Sequence, residues 1–246
     1  MGFFYHIGRY FIFLGKVFVK PEKIRIYGRQ LIKEIENIGF SSIGIVAIIS
    51  VFIGAVLTIQ TGINADTPLL PNYLIALAVR DSIILEFSST IVALILAGKV
   101  GSNIASEIGV MRMSEQIDAL EIMGINSAGF IAMPKIFAAV IFNPVLTVIS
   151  ILVGIVGGWV AGFATGVVTS EEYIYGLQYS FKPYYVVYGL IKTVVFAFLI
   201  TSISAYNGYY VTGGSVEIGK ASTKAVVYSS IAILFFNLLL TQFLLT

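Results

Sequence analysis

Four ionisable side chains stand inside stretches apolar enough to cross a bilayer. Arg80, Asp81 and Glu86 lie in the run from about Tyr73 to Gly98, and Lys192 lies in the run from about Pro183 to Ala205. A charge at such depth costs at least about 2.5 to 3.5 kcal/mol, so each must face a protein interior or a wet cavity. Arg80 and Asp81 come about eight residues into their run and Lys192 about nine into its own, which at about 1.5 Å per residue puts all three roughly 12 to 14 Å below one surface. Two chemistries fit. An Asp81–Lys192 or Asp81–Arg80 ion pair could tie two helices together, or the cations could line a pocket that holds a lipid phosphate, which guanidinium meets bidentately and ammonium as a compact charge. Glu86 lies six residues deeper and fits a protonated, hydrogen-bonded core position.

A second set of charges falls in the longest polar interruption, Ala97 to Asn126, which contains Lys99, Glu107, Arg112, Glu115, Asp118 and Glu121. Within it Ser114 suits a helix N-cap, Glu115 the first turn and Gly124 the stop, so a short helix is expected from about Glu115 to Met123. Its apolar positions Ile117, Leu120 and Met123 recur every three residues, and Glu115, Asp118 and Glu121 form a neighbouring acidic stripe. Such a helix is either a solvated surface element or a docking helix for a soluble partner.

Other chemistries are excluded by composition. There is no cysteine, so thiolate catalysis, disulfides and cysteine-ligated metals are out, and the single histidine, His6, is too few for a histidine zinc site. No G-x-x-x-x-G-K-[ST] loop occurs, so ATP hydrolysis would need another chain. No cofactor is implied, and a net charge of +2 gives no footprint for nucleic acid. With 58% hydrophobic and 11% charged residues among 246, and a mean hydropathy of +0.95, the chain reads as a polytopic membrane protein. No small-residue cleavage site follows the first apolar stretch, so no cleavable signal peptide is expected.

The elements that must position these charges are all helical. Residues 1–38 hold interfacial and elbow helices: residues 1–20 place Phe3, Phe4, Ile7, Phe11, Leu14 and Phe18 on one face, with Arg9, Lys16 and Lys20 largely opposite, as in a helix lying in the membrane interface. Pro21 opens an amphipathic elbow helix leading into the bilayer. Five spans follow, at 40–60, 73–98, 136–167, 183–205 and 224–246, with a cytoplasmic segment at 102–124 between the second and third. The stretch 136–167 is long for one span and short for two. One tilted span is favoured, because it leaves twelve Lys and Arg on the cytoplasmic side against Lys182 alone outside. The seven cations Arg9, Lys16, Lys20, Lys23, Arg25, Arg29 and Lys33 place the amino terminus in the cytoplasm and, by parity, the carboxyl terminus outside. Gly154, Gly158, Gly162 and Gly166 recur every four residues, which lets another helix approach closely. Residues 206–223 read as a glycine-rich cytoplasmic loop.

The stretch GKVGSNIASEIGVMRMSEQIDALEIMGIN resembles the signature of the MlaE (YrbE-like) permease family, the membrane subunits of ABC systems that move phospholipid between bacterial membranes. Similarity extends to SVFIGAVLTIQ, LIKTVVFA and ISAYNGYY. The resemblance implies a multi-pass inner-membrane homodimer whose lipid cavity is lined by Arg80, Asp81 and Lys192. It also implies a coupling helix, carried here by Glu107, Arg112, Glu115, Asp118 and Glu121, that rests against an MlaF-like ABC ATPase. It further implies an MlaD-like MCE-domain protein on the outer side and, often, an MlaB-like STAS-domain subunit. The chain departs from the family where Arg80-Asp81-Ser82-Ile83-Ile84 replaces a basic residue followed by Glu, Leu, Gly and Pro, a loss of proline expected to straighten the second span. A channel or secondary transporter, with Arg80, Asp81, Glu86 and Lys192 relaying protons or binding a small anion, is the alternative.

Overall fold

The computed structural model describes residues 3–19, 24–65 and 71–245, and every structural statement below concerns these. Lys20, Pro21, Lys23 and the loop around Asp66 lie outside them. The described residues form helices α1 (Phe3–Phe18), α2 (Ile24–Glu34), α3 (Ser41–Asn64), α4 (Tyr73–Ser82), α5 (Val92–Leu96), α6 (Ser102–Met113), α7 (Gln116–Ile122), α8 (Ser127–Thr165), α9 (Ser170–Gln178), α10 (Pro183–Tyr209) and α11 (Ser215–Leu245), with no strand among them. Three π-helical segments, Ile35–Phe40, Ile83–Ile91 and Ala97–Gly101, join α2 to α3, α4 to α5 and α5 to α6.

Five of these helical stretches are long and apolar enough to cross a bilayer: Tyr27–Asn64, Tyr73–Met113, Ser127–Thr165, Pro183–Tyr209 and Ser215–Leu245. In lipid a backbone has no water to bond, so a chain this apolar satisfies its amides internally as helices. The glycine-rich run 206–223, read from sequence as a loop, is mostly helical: only 210–214 is left as a turn, with Gly213 at φ +114°. The second span is also not straightened into plain α-helix, because the π-helical turn Ile83–Ile91 occupies the place where the family proline is missing.

The chain divides into two compact units, and each boundary falls inside a span. In the unit made of residues 42–92 and 144–193, α3 presents Ser42, Val46, Ser50, Gly54, Thr58 and Gly62, one every four residues, as a buried stripe. Ser50 bonds Ser150 at 2.8 Å, and Ser150 donates to Ser88 at 3.2 Å. A methyl group on Gly54 would fall onto the carbonyl of Gly154, and one on Gly158 would lie 2.6 Å from Thr58 Oγ1. The glycine ladder therefore packs α8 against α3 within one chain, small residues letting the backbones approach. Ile75, Ala76, Val79, Ile83, Ile84, Ile151, Val168 and Tyr173 form the apolar core of this unit. At the end of α8, Gly166 takes φ +71° while Val167 N–H reaches back to Gly162 O at 3.1 Å, a Schellman stop.

In the unit made of residues 1–41, 93–143 and 194–246, α6 packs on α11, with Ile218 against Gly109 and Ser222 donating to Ser102 O at 3.2 Å. Phe13 of α1 is fully buried among the rings of Tyr206, Tyr209 and Tyr210, while Ile7, Phe11 and Phe18 on another face of the helix are exposed. Arg9 lies 3.8 Å over the Tyr210 ring.

Candidate functional site

The intramembrane charges sort into two ion pairs. Arg80 is almost wholly buried and pairs with its neighbour Asp81, Nη2 to Oδ1 at 2.8 Å and Nε to the same oxygen at 2.9 Å. Its Nη1 donates to Leu177 O at 2.7 Å, Tyr179 O at 2.9 Å and Gly176 O at 3.4 Å. These are the orphan carbonyls at the end of α9, so the guanidinium caps that helix where its dipole favours a cation. Lys192 is fully buried and donates to Glu86 Oε1 at 2.9 Å and to Leu85 O at 3.1 Å, with the Tyr188 ring centroid 4.9 Å away. Thr90 donates to the other oxygen of Glu86 at 3.0 Å.

The Asp81–Lys192 pair allowed by equal depth is thus replaced by a Glu86–Lys192 pair. Both carboxylates reach out of the protein interior: the side chain of Asp81 is 27% exposed and that of Glu86 41%, against 3% for Arg80 and none for Lys192. Each buried cation is therefore held by an anion that remains accessible, an arrangement in which another anion can replace the carboxylate without stranding the cation.

Helix α9, which Arg80 caps, went unread in the sequence. Its signal is Thr169-Ser170-Glu171-Glu172, a capping box in which Glu172 N–H donates to Thr169 Oγ1 at 3.3 Å and Thr169 N–H to Glu172 Oε2 at 3.1 Å. The Thr169 amide and hydroxyl bonds hold the Glu172 carboxyl below the usual range.

At the α6–α7 turn, Gly124 ends α7 at φ +76° with Ile125 N–H on Leu120 O at 3.0 Å, as its position suggested. The start differs. Ser114 does not cap α7; its hydroxyl donates backwards to Val110 O at 2.8 Å and so closes α6. Glu115 then adopts the left-handed conformation, φ 59° and ψ 13°, which turns the chain into α7. The acidic residues are largely engaged within the chain. Arg112 bonds Asp118 at 2.6 Å, and Glu107 accepts from Lys135 at 2.8 Å. Glu121 accepts from Tyr209 and Ser127, each at 2.9 Å, and those bonds hold its carboxyl below the ordinary range.

Lys135 is buried and also bonds Glu34 at 2.7 Å, so it joins α2, α6 and α8. Glu115 and Glu121 of the expected acidic stripe are exposed and Asp118 is half-exposed, and exposed apolar groups join them at the tip. Ile117 is buried, while Ile122 is 88% and Met123 64% exposed beside exposed Val110 and Met113.

A family profile described as Permease MlaE matches residues 31–243. A probable ABC transporter permease protein of Rickettsia bellii is 37% identical over 96% of this chain and 91% of its own length. The intermembrane phospholipid transport system permease protein MlaE of Haemophilus influenzae is 34% identical over 97% of this chain and 92% of its own. A probable ABC transporter permease protein of a Synechocystis strain is 30% identical over 94% and 88%.

Proposed function

The chain belongs to the MlaE permease family, and from that premise we propose that it is the homodimeric membrane subunit of an inner-membrane ABC transporter that moves phospholipid to or from an MCE-type carrier on the outer side. A separate ATPase drives it, in many systems with a STAS-domain subunit. The observation that carries this reading is the pair of buried cations, Arg80 and Lys192, each matched to a carboxylate that is still accessible. A lipid phosphate approaching them exchanges with Asp81 or Glu86, which turn toward water, so neither cation is left uncompensated.

In this reading residues 102–124 face the cytoplasm and receive the ATPase through the exposed apolar residues Val110, Met113, Ile122 and Met123, with Glu115 and the Arg112–Asp118 pair on the same segment. A buried apolar centre with a charged rim is the usual anatomy of a protein interface. Glu107 and Lys135 transmit displacement of α6 to α2 and α8, since the triad cannot be stretched without exposing a buried ammonium. Two copies are needed because five spans enclose too little volume for a two-tailed lipid path.

Native mass spectrometry of the chain purified in mild detergent tests this. Phospholipid and an ATPase are expected to come with it, and Ile122→Asp should release the ATPase while leaving the lipid. A lone protein without lipid would overturn the proposal. The accessible carboxylate of the Glu86–Lys192 pair also suits a proton-linked secondary transporter, which would move its substrate without any ATPase.

A further inference from the structure

A cleft of about 510 Å³ lies between the two π-helical turns at Ile35–Phe40 and Ala97–Gly101, lined by Asn37, Ile38, Ser41, Lys99, Val100, Ser102, Asn103 and Ser106. No carboxylate lines it. Of the five cations on the second, third and fourth spans, Arg80, Arg112, Lys135 and Lys192 each have a carboxylate within 4 Å among the described residues. Lys99 does not: its partners are the backbone carbonyl of Ser41 and, at 3.3 Å, the Ser41 hydroxyl. The carboxamides of Asn37 and Asn103 and the hydroxyl of Ser106 make no hydrogen bond among the described residues, and they share the cleft with that uncompensated ammonium. One cation among neutral polar groups, with no carboxylate within ion-pair distance among the described residues, is a receptor for an anion.

Depth says which anion. Ser41 begins a 24-residue helix, about 36 Å from its Asn64 end, and Lys99 stands some 26 residues, about 39 Å, along the second span from Tyr73. Both lengths exceed the hydrocarbon core of about 30 Å, which sets the cleft in the headgroup layer on the side away from Asn64 and Tyr73. The concentrated anions of that layer are phosphodiesters. The interruption of both walls by π-helical turns, which recur at functional sites, is consistent with a built cleft rather than a packing defect.

We infer that this cleft binds the phosphate group of a phospholipid in that leaflet, through Lys99, Asn37, Asn103 and Ser106, at a site that shares no residue with the Arg80 and Lys192 pairs. The assignment rests on the membrane placement proposed above. It gives the permease a headgroup contact on the leaflet where lipid is taken up or delivered.

The test is thermal unfolding of the full chain in detergent, titrated separately with dihexanoyl phosphatidylglycerol, dihexanoylglycerol and inorganic phosphate. The phosphatidylglycerol is expected to raise the melting temperature of wild type. Its apparent affinity should fall about tenfold or more in Lys99→Gln, the loss of one charge-assisted bond. Asn103→Leu, which keeps Lys99, should weaken it less, and dihexanoylglycerol should show no dependence on Lys99. Unchanged affinity in Lys99→Gln overturns the site. A shift that depends on Lys99 with inorganic phosphate but not with the lipid overturns the lipid as its source. Since no ATPase is present, failure here leaves the transport proposal standing. Conversely, a Glu86→Leu/Lys192→Met protein that has lost transport should still show the Lys99-dependent shift.

Discussion

At Lys192 the two partners of an ion pair differ sharply in exposure, and the difference predicts an asymmetry between their removals. Glu86→Leu leaves a fully buried ammonium without its counter-charge and should cost about 3 to 5 kcal/mol, whereas Lys192→Met leaves a carboxylate that can turn to water and should cost less. The double variant should regain most of the stability, because neither charge is stranded; melting temperatures of the three proteins read this directly. The pairing itself was only half legible. Residue counting gives depth along a span but not angle about it, and the π-helical turn 83–91 changes that angle, so Glu86 rather than Asp81 meets Lys192. Glu121 supplies a pH test. Its carboxyl is held low by Tyr209 and Ser127, so its stabilising bonds are complete above the ordinary carboxylate range and are lost as pH falls through the lowered folded value. Wild type should therefore melt above Glu121→Gln at pH 7, and the gap should close only as the pH falls below the ordinary carboxylate range, through the lowered folded value.

Among the elements, the α6–α7 turn and the α3–α8 contact make opposite demands on glycine. Glu115 carries a left-handed backbone that costs an ordinary residue about 1 to 2 kcal/mol, so Glu115→Gly should stabilise the protein by about 1 kcal/mol, and Glu115→Val should destabilise it. Gly54 has no room for any side chain, because the Gly154 backbone occupies the space, and Gly54→Leu should lower stability by at least about 1 to 3 kcal/mol. If Gly54→Leu melted with wild type, the close approach of α3 and α8 would be wrong. The i, i+4 repeat of Gly154, Gly158 and Gly162 was visible in the sequence, and so was the matching Ser50, Gly54, Thr58 and Gly62 stripe, although only the first was read. The start of α7 was misjudged because Ser114 has two uses for its hydroxyl, capping the next helix or closing the last, and propensity alone does not choose between them.

For the whole molecule, the all-helical fold with five membrane-crossing helices followed from hydropathy and charge, since in lipid only length and polarity decide what can span. Family membership was legible in the GKVGSN to MGIN run, and the profile match over residues 31–243 bears it out. The Arg80 cap on α9 and the Lys135 triad were not legible, because each depends on partners about 100 residues away in sequence, whereas α9 itself carries a local signal in the Thr169–Glu172 capping box. The most direct measurement is transfer of labelled phospholipid between proteoliposomes holding this chain with its ATPase and a soluble MCE-domain acceptor. Transfer should require ATP hydrolysis, and it should be abolished in the Glu86→Leu/Lys192→Met protein although that variant folds and still recruits the ATPase. Transfer at the wild-type rate by the double variant, or at an equal rate without the ATPase, would contradict a phosphate-binding permease coupled to ATP.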